Sequence, residues 1–101
     1  MTKVSMMGTI TCQPGRADEM AAVLTRTVDA ARDEPGLEIY SYHRGAGDSF
    51  SFFALMANQE ALETRGRSPA MQAAMADFAP LMAEPPNMAP TTPVAAIGFE
   101  I

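Results

Sequence analysis

Tryptophan is absent from this 101-residue chain, and cysteine and histidine each occur once. A lone Cys12 cannot close an internal disulfide, so nothing calls for an oxidising compartment. A lone His43, with no cysteines or carboxylates at ligand spacing around it, cannot complete the coordination of zinc or iron, and no metal is expected. Positive charge is also scarce: 7 Lys and Arg stand against 12 Asp and Glu, a net charge of -5 with no basic stripe. That balance argues against nucleic acid and against anionic membrane surfaces as partners. No apolar run nears the ~20 residues that span a bilayer; the longest is Phe52 to Ala57. The opening Met-Thr-Lys-Val-Ser is not followed by the apolar core of a signal peptide, and a cytoplasmic location is expected.

What is present is apolar and well punctuated. Hydrophobic residues make up 48% and charged residues 19% of the chain, which places it among globular proteins and away from disorder. Its length suits a single domain over residues 1–101. Val4, Met6, Gly8, Ile10 and Cys12 alternate with more polar neighbours, the period of a strand, until Pro14-Gly15 stops it. From Arg16 the period becomes helical, with Met20, Val23, Leu24, Val28 and Ala31 on one face. Asp18 and Glu19 suit the positive dipole end of that helix. Pro35 disfavours helical backbone at Glu34 and ends the segment before Gly36.

Leu37 to Arg44 reads as a second strand, with Leu37, Ile39, Ser41 and His43 on one face and Glu38, Tyr40, Tyr42 and Arg44 on the other. Gly45-Ala46-Gly47-Asp48 is a hairpin connection. The third strand, Ser49 to Met56, is apolar on both faces, the mark of a central strand covered on two sides. Asn58 is placed to cap a short helix holding Ala61 and Leu62, and Ser68-Pro69 starts another that carries Met71, Ala74, Met75, Phe78, Leu81 and Met82. Pro80 should distort its end. The proline-rich stretch from Glu84 to Pro93 reads as stiff loop, and Val94 to Ile101 as the final strand.

The resulting βαββαβ order gives an α+β fold, a four-stranded antiparallel sheet with helices on one face. Met7, Ile97, Phe99 and Ile101 then add apolar surface to the face without helices, where a monomer would be polar. A domain of this size buries only about two-thirds of its unfolded surface. Two copies are therefore expected to pack sheet to sheet as a homodimer, closing a barrel.

Three stretches carry a family resemblance: Thr9 to Met20, Glu-Pro-Gly-Leu-Glu-Ile-Tyr at 34 to 40, and Glu60-Ala61-Leu62 followed by Ser68-Pro69. In order and spacing they resemble the antibiotic biosynthesis monooxygenase family of dimeric α+β barrels, over essentially the whole chain. The resemblance implies a ferredoxin-like fold, a dimer, and a cavity between sheet and helices for a small apolar or aromatic ligand. It also implies oxygenation without a cofactor, acting on an electron-rich phenol, anthrone or quinol that serves as its own reductant. Such chemistry asks the protein for a base, a polar anchor and a dry pocket.

His43, the one side chain with an ordinary pKa near neutrality, is the candidate base, with a surface or packing role as its alternative. Tyr40 and Tyr42 share a face and suit the oxygens of an aromatic substrate; packing accounts for them equally. Met71, Met75 and Phe78 would line an adaptable apolar cavity or simply fill a core. Arg65 stands where many relatives carry a histidine. It suits a phenolate or carboxylate, or else caps a helix end in solvent. At the end of the third strand, Ala54 and Met56 replace the Glu and Trp of many relatives, and the missing tryptophan argues against the haem-degrading branch. The alternative function is a ligand-binding or stress-associated dimer without catalysis.

Overall fold

The computed structural model describes residues 2–101. Its elements are β1 (Val4–Thr11), α1 (Ala17–Ala30), β2 (Leu37–Arg44), β3 (Ser49–Met56), α2 (Gln59–Arg67), α3 (Pro69–Phe78), a 3-10 turn (Ala79–Leu81) and β4 (Asn87–Thr91). The strands form one antiparallel sheet in the order β2-β3-β1-β4. This is the expected ferredoxin-like α+β fold.

Local chemistry fixes the helix boundaries. Asn58 Oδ1 accepts from the Ala61 amide at 2.9 Å, and Ser68 Oγ accepts from the Met71 amide at 3.0 Å, with Pro69 in the first turn of α3. Each cap satisfies a donor that the helix itself leaves open. Gly15 and Gly36 follow their prolines at φ 79° and 80°, a backbone region that glycine enters without steric cost. Pro80 shortens α3 as expected, and the chain leaves through the 3-10 turn.

Core packing follows from the alternation. Ile10, Phe50 and Phe52 project from the sheet onto Met20 and Leu24 of α1 and Phe78 of α3, all buried. No helix among the described residues covers the opposite sheet face. Phe99 from the C-terminal tail lies against Phe53 there, with ring centroids 6.0 Å apart. Met7, Val94, Ile97 and Ile101 remain exposed.

One element differs from expectation. The fourth strand is Asn87–Thr91, inside the stretch read as loop, and Val94 to Ile101 forms no strand. The reason lies in its position. At the sheet edge Pro90 sits opposite Met6, where its missing N–H costs little because an edge strand is paired on one side only. Gly8 opposite Met88 completes the fit, since a Cβ at Gly8 would overlap the Asn87 carbonyl oxygen.

Candidate functional site

Between the sheet and the pair α2 and α3 lies a cavity of about 270 Å³. Its sheet side is built by Met6 and Ile10 of β1 and by Phe52, Ala54 and Met56 of β3. Met71, Met75 and Phe78 of α3 form the opposing wall, and Pro86 and Met88 close one side. Five methionines, Met6, Met56, Met71, Met75 and Met88, contribute flexible thioethers, a lining that adapts to ligand shape. Met88, on the edge strand β4, is 43% exposed.

The polar atoms gather at one end. Tyr40 and Tyr42 are two residues apart on β2 and so project to the same side. Their hydroxyls are 2.7 Å apart, and the rings meet edge to face with centroids 5.2 Å apart. Phe52 and Phe78 pack on the Tyr42 ring, at 5.5 and 6.5 Å between centroids. Burial pushes the Tyr42 phenol well above its ordinary pKa, and neighbouring Tyr40 pushes the same way, against a smaller opposing pull from Arg65. Tyr42 is therefore a neutral hydrogen-bonding group at physiological pH.

Arg65 completes this end. Its guanidinium carbon stands 4.3 Å from the Tyr40 ring centroid, a cation-π contact, and Nη1 donates to Glu34 Oε2 at 2.6 Å. The residue is 8% exposed, so the solvent-facing alternative for this cation does not hold. Glu34 lies on its far side, in a more open groove of about 230 Å³ between α1 and α3. A buried guanidinium needs such a partner, because an uncompensated charge there would be costly.

Six of the seven residues singled out from sequence, Tyr40, Tyr42, Arg65, Met71, Met75 and Phe78, line this one cavity. His43 does not. It is exposed, and its Nε2 lies 2.9 Å from Ser41 Oγ on the alternate side of β2, facing away from the helices. Within one chain the imidazole cannot reach a ligand bound between sheet and helices. Cavity-lining side chains that sequence reasoning did not assign to the site include Met6, Ile10, Phe52, Met56 and Met88, and Glu34 supports the site from the neighbouring groove. The alternation of β1 with Gly8 on the same side as Met6 held the signal for the first; Glu34 became visible only through its contact with Arg65.

Among the described residues no group of three or more His, Cys, Asp or Glu is arranged to hold a metal ion. None of the described residues lining the cavity is a carboxylate or an imidazole. Cys12 is buried away from it, its thiol pushed up by burial and then by the nearby Asp48 charge.

Comparison with known proteins gives the same outline. The sequence pattern of a family described as antibiotic biosynthesis monooxygenase matches residues 3–77. A protein of unknown function from Nitrosomonas europaea, NE2512, superposes with a TM-score of 0.87 at 23% identity, covering 99% of this chain and 97% of that one. A provisionally assigned antibiotic biosynthesis monooxygenase from Caulobacter crescentus gives 0.86 at 25% identity, over 93% of this chain and 92% of that one. SnoaB, a cofactor-independent oxygenase from Streptomyces nogalater, gives 0.84 at 15% identity, over 98% and 100% of the two chains. No curated protein matches at the sequence level. No helix among the described residues is long and apolar enough to cross a membrane.

Proposed function

The chain belongs to the antibiotic biosynthesis monooxygenase family, and from that premise we propose that it is a cofactor-independent monooxygenase for a small electron-rich aromatic. The observation that carries the reading is the lining of the cavity: an apolar, methionine-rich chamber whose polar side chains, among the described residues, are Tyr40, Tyr42 and Arg65. A dry pocket with one polar end orients a flat molecule by its oxygen and shields a reactive carbanion-like ring from water.

The volume narrows the substrate. A cavity of roughly 150 Å³ takes one benzene ring, so about 270 Å³ suits one or two fused rings better than a three-ring anthrone. For a naphthol the reaction balances without an added reductant. The ring carbon para to the phenolic oxygen loses its hydrogen and gains one oxygen atom, giving a quinone, and the second oxygen atom leaves as water. The substrate supplies all four electrons.

The active unit is proposed to be a homodimer joined through the helix-free sheet face, which Met7 and the exposed apolar tail support. A second reading, a dimer that binds its ligand without chemistry, draws on there being no carboxylate or imidazole among the described residues that line the cavity. Oxygen uptake separates the two. Protein freed of metal and flavin should consume one O2 per 1-naphthol, above the rate of autoxidation, and release the quinone. No uptake across a panel of one- and two-ring phenols and quinols would leave only the binding reading.

A further inference from the structure

We propose that Met88 is an oxidation site that controls the cavity: a peroxide converts its thioether to the sulfoxide, and the sulfoxide lowers the affinity of the cavity for an apolar aromatic ligand. The inference rests on the cavity being the ligand site; it does not require the oxygen chemistry.

Exposure selects the residue. Among the described residues Met7 and Met88 are the exposed methionines, at 49% and 43%. Met20 and Met56 are buried, and Met6, Met71, Met75 and Met82 are half-buried. An oxidant arriving from solvent meets the exposed thioethers first. The competing thiol of Cys12 is buried, and burial raises its pKa, which keeps it in the less reactive protonated form.

The sheet then separates the two exposed thioethers by face. Met7 pairs with Ala89 and Gly8 with Met88 across β1 and β4. Alternation sends Met7 to the helix-free face and Met88 to the cavity, where it forms part of the wall. Of the five methionines that line the cavity, Met88 is thus the exposed one. Met7 is its internal control, alike in chemistry and on the far side of the sheet.

Oxidation changes what Met88 offers a ligand. Hydrogen peroxide gives one oxygen atom to the sulfur, its O–O bond breaks, and the second oxygen leaves as water with both protons. The sulfur supplies the two electrons. A flexible apolar group becomes a polar one. Strands β2 and β4 are opposite edges of the sheet with β3 and β1 between them, so at about 4.8 Å per strand their backbones stand roughly 14 Å apart. Tyr40 and Tyr42 are on β2, and Arg65 lies beside Tyr40. No other polar side chain among the described residues lines the cavity. A sulfoxide turned inward at Met88 therefore meets no side-chain donor, and an unpaired polar oxygen weakens an apolar site. Turned outward to solvent, it takes the side chain out of the wall and admits water. Both outcomes work against an apolar ligand, and reduction back to the thioether reverses them.

The test treats full-length protein with graded hydrogen peroxide. Peptide mass spectrometry follows each methionine, and 1-naphthol binding is measured under nitrogen so that no turnover intervenes. Met88 should oxidise before or together with Met7, and well ahead of Met20 and Met56. Affinity for 1-naphthol should fall about tenfold or more in step with Met88 sulfoxide, the scale of one unsatisfied polar group. Methionine sulfoxide reductase should restore it. Met7→Leu should keep that fall. Met88→Leu, whatever its starting affinity, should lose nothing further to peroxide, because leucine is apolar, similar in volume and does not oxidise. Met88→Gln, unbranched with a polar end, should lower affinity without any peroxide, which decides the matter if the leucine variant fails to fold. Oxidation of Met88 as slow as that of Met20, unchanged affinity at full Met88 oxidation, or an undiminished fall in Met88→Leu would overturn the proposal. Failure of the untreated protein to bind 1-naphthol would remove the cavity as the ligand site and the switch with it. Binding that falls with Met88 oxidation in a protein that takes up no oxygen would sink the monooxygenase reading alone. Oxygen uptake indifferent to full Met88 oxidation would sink the switch alone.

Discussion

Glu34 and Arg65, 31 residues apart, are joined by a 2.6 Å ion pair that links the turn after α1 to the end of α2. The turn docks on the same helix through Gly36, where an added Cβ would stand 2.6 Å from that of Ala61. The Glu-Pro-Gly turn is therefore more than a boundary. It seats the helix that presents Arg65 and supplies the counter-charge that lets the guanidinium stay buried against Tyr40.

Breaking the pair from either side should be costly, and removing both partners less so. Glu34→Gln leaves a buried cation without its carboxylate and is expected to lower stability by about 1.5–3 kcal/mol, the range for hydrogen bonds to charged groups. Arg65→Met keeps the apolar stem and removes the charge. In urea unfolding, the double variant should lose less than the two single losses added together. Strict additivity would mean that the pair contributes nothing as a pair.

Gly8→Ala should act on β4 and, through it, on the cavity. The new methyl would overlap the Asn87 carbonyl oxygen and crowd Met88, whose Cα and Cβ would lie 2.8 and 2.9 Å away. Both contacts are closer than packing allows, so β4 must move outward. The expected cost is about 1–3 kcal/mol, as for overpacked cores. Faster proteolysis after residue 86 should accompany it, and an unchanged melting temperature would contradict this account of the strand edge.

His43→Ala is expected to leave phenol binding in the cavity unchanged and stability within about 0.5 kcal/mol, as for exposed positions. The sequence already contained the reason. Period-two alternation on β2 puts His43 with Ser41 and opposite Tyr40 and Tyr42, so a base at 43 and anchors at 40 and 42 could not face one ligand within the same chain. The helices and first three strands were legible because caps, Pro-Gly turns and alternation are local signals. β4 was not, because an edge strand tolerates proline for a reason that only sheet order reveals. The Arg65 environment was hidden in the same way: burial and the Glu34 contact join segments far apart in sequence. A measurable loss of phenol affinity in His43→Ala would return the imidazole to the site.

The helix-free sheet face is expected to hold two copies together. Met7 is 49% exposed at the middle of β1 on that face, and Val94 and Ile97 of the tail are nearly fully exposed. Met7→Lys places a charge where the two sheets would meet and should shift the solution mass from twice 10.8 kDa toward 10.8 kDa at micromolar concentration. Sedimentation gives the answer directly. A wild-type chain that already sediments as a monomer would remove the dimer from the proposal.

Tyr42 should leave a signature in the alkaline stability of the protein. Its phenol is raised in the folded state, chiefly by burial, while in the unfolded chain it ionises near the ordinary value of about 10. Below that pH both states hold the proton, and the contribution to stability is fully present. Above it the unfolded state loses the proton and the folded state keeps it, so stability falls as pH rises, by about 1.4 kcal/mol per unit from this group. Tyr42→Phe removes the titrating group and keeps the ring between Phe52 and Phe78. Urea midpoints measured from pH 9 to 11 should therefore decline more steeply for the wild type than for Tyr42→Phe. Parallel declines would show that the Tyr42 hydroxyl is far less enclosed than its place between Tyr40, Phe52 and Phe78 implies.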